Sequence, residues 1–184
     1  MSKYRLVAAD LDNTLLRSDK TISPETDALL SSLFGRGVYF VPSTGRTHVE
    51  MPDPVRAVRD LRYAITCNGG CVYDFLEQRY IFSFAIDKAL GERVLRFGET
   101  LPVYPTMVCE GQRHIRTEAD GRVADYIVQR AAPGVVEKSK GSPDLYAELE
   151  RLGSGLQKIF FYSKDPALTP EILTRLRADR KSVV

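Results

Sequence analysis

Short apolar segments alternate with amphipathic ones through the first 84 residues, and this alternation restricts the fold more than any other feature. Apolar runs at residues 6–9, 38–41 and 62–67 are typical of strands buried in a sheet. Helices are expected from Ser23, which suits an N-cap, to Gly35, and over residues 47–60, where Pro52 and Pro54 should disturb the start of the helix. Strands and helices in this order favour parallel strands with right-handed crossovers, and thus an α/β domain.

The pattern changes near residue 85, after a predicted hairpin with strands at 71–75 and 80–84. From there on, the regular alternation of strand and helix is lost. We therefore expect two domains, residues 1–84 and residues 85–184, the second being an α+β unit. Its expected elements are a helix over 90–101, strands at 103–109, 113–117, 135–136 and 156–162, and helices near 123–128, 142–152 and 169–176.

Composition excludes several classes of protein. Hydrophobic residues make up 43% of the 184 residues and charged residues 27%, which excludes a disordered or collagen-like chain. The 26 Lys and Arg against 24 Asp and Glu give a net charge of +2, which argues against nucleic acid or a membrane surface as a partner. Three cysteines, an odd number, predict reduced thiols and a cytoplasmic location.

Each of the three predicted parallel strands ends in a polar or glycine-rich segment: residues 10–12, 43–46 and 68–70. Such sheets bind ligands beyond the carboxyl ends of their strands, so these segments are expected side by side at one edge. The like charges of Asp10 and Asp12 repel unless a cation such as Mg²⁺ offsets them. One could then be a nucleophile and the other a general acid/base. The alternative from the residues alone is an Asp-rich turn that caps the next element.

The same segments resemble, in order, the motifs of a known family. Residues 10–16, Asp-Leu-Asp-Asn-Thr-Leu-Leu, are similar to motif I of the haloacid dehalogenase (HAD) superfamily of phosphotransferases. Residues 43–46, Ser-Thr-Gly-Arg, resemble motif II of its Cof-type phosphatases, and residues 65–70 resemble their Asn-Gly segment. Asn13 replaces the usual Gly but tolerates the same backbone conformations. The resemblance implies an α/β, HAD-like Rossmannoid core with an inserted α+β cap.

The resemblance also implies a role for each site residue. Asp10 would attack a substrate phosphorus and form an aspartyl-phosphate, while Asp12 would protonate the leaving oxygen and then activate water. Mg²⁺ would be bound by Asp10 and by the backbone carbonyl of Asp12. The substrate phosphate would be bound by Thr44, Gly45, Arg46 and Asn68.

Two further parts of the family's site are missing from this sequence. A lysine (motif III) and an acidic Gly-Asp-x-x-Asn-Asp segment (motif IV) follow the cap in family order, and no Gly-Asp pair occurs after Ile86. Lys140-Gly141 resembles motif III locally but precedes the strand expected at 156–162. We therefore expect a C-terminally truncated chain with half of a core, most of a cap and impaired activity. An incomplete core would leave an open sheet edge and favour self-association.

The predicted function is a Mg²⁺-dependent phosphatase of a small phosphorylated metabolite, such as a sugar phosphate or nucleotide. The alternative hypothesis is a non-catalytic remnant that keeps the fold and binds an anion or a partner. A phospho-accepting receiver domain needs an aspartate at the end of the third strand, where this chain has Thr66-Cys67-Asn68. A dinucleotide-binding dehydrogenase is excluded because no Gly-x-Gly-x-x-Gly follows a strand.

Overall fold

The structure of the protein, a computed structural model, describes residues 4–117, 138–153, 155–163 and 165–178. The chain divides into two compact units, Met1–Phe84 (unit 1) and Ala85–Val184 (unit 2), each with its own sheet and buried core. The helix expected near 123–128 and the strand expected at 135–136 lie outside the described residues. None of the helices in the described residues is long and apolar enough to cross a membrane.

Unit 1 is built on a five-stranded sheet with the order β1-β2-β3-β4-β5. The first three strands are parallel, as their alternation with helices predicts, and β4 and β5 form the expected antiparallel hairpin. The strands are β1 (Leu6–Asp10), β2 (Tyr39–Ser43), β3 (Tyr63–Thr66), β4 (Cys71–Asp74) and β5 (Arg79–Ser83).

Helix α1 (Pro24–Gly35) begins where the sequence indicated. The Ser23 side chain accepts a hydrogen bond from the backbone amide of Thr26 at 3.1 Å, which satisfies a donor that the first turn leaves unpaired. In the middle of the helix, the buried Leu30 packs in a core cluster with Phe40 of β2. Local capping therefore starts this helix, and apolar burial fixes it to the sheet.

The helix predicted over residues 47–60 is wrong in its extent. Helix α2 comprises only Asp53–Arg56, and residues 47–50 form a turn instead. Pro52 and Pro54 explain the difference, because a proline inside a helix removes a backbone donor and clashes with the preceding turn. Proline is tolerated in the first turn of a helix, so α2 begins at Asp53, between the two prolines, and not before them.

Strand β1 pairs with β2 in the expected parallel register but is not buried, which corrects the prediction for residues 6–9. Leu6 is 53% exposed and Val7 is 38% exposed. Within the described residues, β1 has a single neighbour, whereas β2 has one on each side and buries Phe40 and Val41. An apolar strand becomes buried only where further elements cover it, so the open edge accounts for the exposure.

An aromatic cluster connects the turn after β2 with the hairpin. The His48 imidazole stacks on Tyr73 with ring centroids 3.8 Å apart, and its Nδ1 lies 2.8 Å from the Tyr80 hydroxyl. Burial, and to a lesser degree the nearby Arg56 charge, lowers the pKa of His48 to about 4. The ring is therefore neutral at pH 7 and packs as an aromatic group.

Unit 2 carries a four-stranded sheet with the order β8-β7-β6-β9, in which β6 is antiparallel to both neighbours and β7 is parallel to β8. Two helices pack through their leucines against one face of this sheet, at Met107 and Cys109. The unit is thus α+β, as predicted. Its elements are α3 (Lys88–Glu99), β6 (Val103–Cys109), β7 (Gln112–Arg116), β8 (Lys140–Ser142), α4 (Leu145–Leu152), β9 (Leu156–Ser163) and α5 (Thr169–Ala178).

Helix α4 begins slightly later than the Ser-Pro-Asp segment predicted. Ser142 ends β8, and Asp144 is the N-cap, whose carboxylate accepts hydrogen bonds from the amides of Tyr146 at 2.8 Å and Ala147 at 3.2 Å. Lys140, which resembled the motif III lysine, lies in β8 at the edge of the unit 2 sheet.

Two buried glycines allow α3 to lie close to β9. A Cβ atom added to Gly91 would overlap the Leu156 side chain, and one added to Gly98 would overlap the Phe161 ring. The glycines are about two helical turns apart and so lie on the same side of α3. Their absent side chains create the space that these two residues of β9 fill.

The substitution Gly98→Ala is expected to destabilise the protein by about 1 kcal/mol, because overpacking against Phe161 exceeds the gain in helix propensity. Urea denaturation followed by circular dichroism measures the change. Gly35→Ala is the matched control, since it ends α1 with no atom within 4 Å of the added Cβ, and it should be neutral or stabilising. Equal effects of the two substitutions would contradict the close packing of α3.

Thermal stability is expected to fall on acidification partly because of His48. An unfolded histidine titrates near pH 6.5 while the folded residue titrates near pH 4. The stabilising contribution of the neutral ring is therefore complete above about pH 6.5 and is lost as the pH falls towards 4. His48→Phe should reduce the drop in melting temperature between about pH 7 and pH 5. An unchanged pH dependence in this variant would argue against a buried neutral imidazole.

Candidate active site

The carboxyl ends of β1, β2 and β3 lie side by side. In the parallel ladder Asp10 is paired with Ser43, and Ser43 with Ile65. Backbone hydrogen bonds continue the alignment beyond the strands, since the Thr44 amide donates to the Ile65 carbonyl at 2.9 Å and the Asn68 amide donates to the Thr44 carbonyl at 3.2 Å. The structure thus brings together the three polar segments at one edge of the sheet, as expected.

A tight loop follows Asp10. The Leu15 amide donates to the Asp10 carbonyl at 3.2 Å, and the Leu16 amide donates to the carbonyl of the fully buried Leu11 at 2.9 Å. Asn13 adopts a left-handed φ of 62°, a conformation that asparagine and glycine take more readily than other residues. Asn13 therefore meets the backbone requirement at the position where the resembled motif usually has glycine.

Two cations hold the Asp12 carboxylate. Arg46 donates from Nε to Oδ2 at 3.1 Å and from Nη2 to Oδ1 at 3.0 Å, while Lys20 Nζ donates to Oδ1 at 2.8 Å. The hydrogen bond from Arg46 is the largest cause that lowers the pKa of Asp12, burial opposes it, and Lys20 lowers the pKa further. Asp12 is therefore ionised at neutral pH. The positive charges of Arg46 and Lys20 reduce the repulsion between the carboxylates of Asp12 and Asp10.

Arg46 is held on several sides. Its side chain is only 8% exposed, its Nη1 donates to the Glu50 carbonyl at 3.3 Å, and its own carbonyl accepts from the Cys67 amide at 2.9 Å. A guanidinium buried to this extent requires an anionic partner, and Asp12 supplies it. In the structure the Arg46 guanidinium binds Asp12, and the phosphate contact that the resemblance implied for Arg46 stays a prediction.

Thr44 retains a hydrogen-bond donor at the site. The residue is buried, and its hydroxyl oxygen accepts a hydrogen bond from the Arg46 amide at 3.2 Å. A hydroxyl that accepts still has its own proton to donate, so Thr44 can hydrogen bond to a phosphoryl oxygen. Gly45, half-buried, forms the bend between these two residues.

Asn68 lies in the 3₁₀ turn Cys67–Gly69 that follows β3. Cys67 and Asn68 both have left-handed φ values, 54° and 59°, which cost on the order of 1 kcal/mol for each non-glycine residue. The backbone hydrogen bonds to residues 44–46 hold the turn in this conformation. The Asn68 side chain is exposed beside the ends of the strands.

The ends of the strands carry oxygen atoms that could bind a metal ion. The exposed carboxylate of Asp10 and the backbone carbonyl of Asp12 are hard oxygen donors that suit Mg²⁺, which keeps water in its other positions. The Asp12 side chain is already bound by its two cations. Across residues 4–117, 138–153, 155–163 and 165–178, no three or more His, Cys, Asp or Glu side chains converge as a metal site. The two donors therefore fit Mg²⁺ as a partial set.

Sequence reasoning missed Lys20 and Glu50. Lys20 lies eight residues after Asp12 in a polar turn, and the only signal for it is a basic residue close in the chain to the acidic pair. Glu50 is buried, and its carboxylate accepts a hydrogen bond from the Thr47 amide at 2.9 Å. No spacing in the sequence marks Glu50, because the turn that buries it exists only in the folded chain.

A family model described as haloacid dehalogenase-like hydrolase matches residues 7–179. The HMP-PP phosphatase of Serratia proteamaculans is 43% identical over 72 residues, which cover 39% of this chain and 26% of that protein. The pyridoxal phosphate phosphatase of Escherichia coli is 37% identical over 71 residues, with the same coverage of 39% and 26%. The matched segments span between 26% and 36% of such curated relatives.

Solved structures agree on the fold. A haloacid dehalogenase-like hydrolase from B. subtilis superposes with a TM-score of 0.75 at 21% identity, covering 95% of this chain and 67% of that one. A second one, from Bacteroides thetaiotaomicron, gives a TM-score of 0.77 at 16% identity, covering 96% and 65%. Together with the family match, these likenesses confirm the α/β, HAD-like fold that the motifs implied. The chain belongs to the haloacid dehalogenase-like hydrolases.

Proposed function

We propose that this chain is part of a Mg²⁺-dependent phosphatase of a small phosphorylated metabolite, such as a sugar phosphate or nucleotide. The observation that carries the proposal is an exposed Asp10 carboxylate at the end of β1, two residues from the cation-bound Asp12. The names of the relatives, phosphatases of HMP-PP and of pyridoxal phosphate, support a substrate of this size. The near-equal charge balance favours a small molecule over nucleic acid or a membrane, and the buried thiols support a cytoplasmic location.

The proposed reaction has two steps. Asp10 attacks phosphorus, the bond from phosphorus to the leaving oxygen breaks, and an aspartyl-phosphate forms. Because Asp12 is ionised at rest, it takes up a proton from solvent before the first step and then gives that proton to the leaving oxygen. In the second step the Asp12 carboxylate takes a proton from the water that attacks phosphorus, the bond between phosphorus and Asp10 breaks, and inorganic phosphate is released. Thr44 donates a hydrogen bond to the phosphoryl group, beside Gly45 and Asn68. The Asp10 carboxylate and the Asp12 backbone carbonyl would hold Mg²⁺, which would supply positive charge to neutralise the phosphoryl group.

Arg46 has a positioning role in this proposal. Its two hydrogen bonds to Asp12 fix both carboxylate oxygens, so the acid/base group has one orientation at the ends of the strands. The ionised form of Asp12 that this contact favours is the form that accepts a proton in the second step. The contact thus supports the hydrolysis of the aspartyl-phosphate more directly than its formation.

The two units have different parts in the proposal. We propose that residues 1–84 are the N-terminal half of the catalytic core and that residues 85–184 belong to the cap. The sequence contains neither the motif III lysine nor the motif IV acidic residues, so we expect little turnover from these 184 residues alone. The second candidate is therefore a chain that binds a phosphate anion without hydrolysing its ester, which the partial metal-donor set favours.

Covalent phosphorylation tests the role of Asp10 without requiring turnover. Incubation with acetyl phosphate and Mg²⁺ is expected to add one phosphoryl group to the wild-type chain, detected by intact mass spectrometry and mapped to Asp10. Asp10→Asn should abolish the adduct, while Asp27→Asn, which removes the same charge from an exposed position of α1, should leave it.

Parallel assays with a generic phosphomonoester separate the two candidates. The expected result is weak, Mg²⁺-dependent hydrolysis that Asp10→Asn removes. An adduct or a turnover that persists in Asp10→Asn would contradict the nucleophile assignment. Robust hydrolysis by the wild-type chain would contradict the expected impairment, and complete absence of both adduct and hydrolysis would favour the non-catalytic candidate.

Self-association through the open edge of β1 is the second expected property. Leu6 and Val7 are exposed on a strand whose outer hydrogen-bonding groups have no strand beside them in the described residues, a geometry that promotes pairing between chains. Light scattering should show a mass that rises with concentration, and Val7→Lys should lower it. Leu173→Lys, at an exposed leucine of α5, is the control. A monomer at every concentration would refute this expectation.

A further inference from the structure

Lys20 lies in a turn whose backbone is closed by several hydrogen bonds. The Arg17 amide donates to the Thr21 carbonyl at 3.0 Å, and the Lys20 amide donates to the Arg17 carbonyl at 3.0 Å. Inside the turn, the Asp19 carboxylate accepts from the Thr21 amide at 3.0 Å and from its hydroxyl at 2.6 Å. Lys20 itself has a left-handed φ of 66°, which is uncommon for a residue with a long side chain.

The two cations on Asp12 differ in how firmly they are held. Arg46 contacts both carboxylate oxygens and a backbone carbonyl, and its side chain is 8% exposed. Lys20 makes one hydrogen bond from its ammonium group within the described residues, and its side chain is 32% exposed. A lysine ammonium is a point charge on a flexible four-carbon stem, so it can change partner at little cost, whereas a buried, forked guanidinium cannot.

The charges at this edge also favour an exchange of partners. The carboxylates of Asp10 and Asp12 carry two negative charges, and Lys20 and Arg46 carry two positive charges. A phosphate dianion that enters beside Asp10 adds two negative charges and a stronger acceptor for an ammonium group than a carboxylate already bound twice by Arg46. Lys20 is the cation that is free to reach it, because Arg46 alone still satisfies Asp12.

From this difference we propose that Lys20 is a phosphate-binding residue that moves from Asp12 to a phosphoryl oxygen of the substrate. The inference rests on the proposed function, since it concerns the same site, and it assigns a residue upstream of motif II rather than the family's motif III lysine. Lys20 then supplies positive charge to the phosphoryl group from unit 1 itself, while Arg46 remains with Asp12.

Binding of inorganic phosphate to the 184-residue chain, measured by isothermal titration calorimetry, tests the inference without requiring catalysis. Lys20→Met is expected to raise the Kd about three- to tenfold through loss of one charge-assisted hydrogen bond, and Lys20→Arg to raise it less than about twofold. Lys88→Met is the matched control, because Lys88 is 37% exposed and also pairs with a carboxylate, that of Glu150, in unit 2. It should leave the Kd unchanged.

Asp12→Asn provides a second, opposite prediction. It removes the charge that competes for Lys20, so phosphate affinity should increase, and this increase should disappear in the double variant Asp12→Asn/Lys20→Met. A merely structural role of Lys20 would not produce this reversal. Lys20→Gly also removes the ammonium group, but glycine tolerates the left-handed backbone, so the melting temperature of this variant should match that of the wild type. Weaker phosphate binding by Lys20→Gly then does not reflect unfolding.

The outcomes separate this inference from the proposed function. Thr44→Val is expected to weaken phosphate binding through loss of the hydroxyl donor at the strand ends. If Thr44→Val weakens binding while Lys20→Met binds as tightly as wild type, the inference about Lys20 is overturned and the phosphate site stands. If the wild-type chain binds no phosphate, both the inference and the anion site of the proposed function fail.

Discussion

Parallel pairing of β1, β2 and β3 is the constraint on which the rest of unit 1 depends. Because parallel strands all end at the same edge, the ladder places Asp10, Ser43 and Ile65 side by side on neighbouring strands although long stretches of chain separate them. The loops that follow then lie close enough to hydrogen bond to one another, as Thr44 and Asn68 do. Every other feature of the candidate site, including the positions of its charges, follows from this alignment.

Charge balance is the second constraint, and it connects the loops that the strands bring together. Two carboxylates that leave the sheet within three residues repel each other, and a buried arginine without a partner is equally unfavourable. The contact between Asp12 and Arg46 removes both costs at once. The same contact leaves Lys20 as the cation with the greater freedom, so the resting arrangement already contains a group able to respond to an incoming anion.

The parts of the fold that sequence reasoning predicted well are those decided by neighbouring residues. Helix α1 begins at Ser23 because its cap and its first proline act within one turn, and the turn at Asn13 requires only a residue that tolerates left-handed backbone. The helix over residues 47–60 was wrong in extent: Pro52 and Pro54 were expected to disturb its start, but in the structure they exclude every residue before Asp53 from the helix. The burial of residues 6–9 was wrong because it depends on what covers β1, which no local pattern reports.

By itself, the sequence determined the order of strands and helices in residues 1–84, the ends at which polar residues would gather and the family to which the chain belongs. These follow from periodicity, capping and motif spacing, which act over a few residues. Only the tertiary structure decided that Arg46 binds Asp12 across 34 positions of the chain, that Lys20 shares this carboxylate and that His48 packs in an aromatic cluster. Such contacts depend on how distant segments are brought together, and a charge or a ring finds its partner only after the strands have paired.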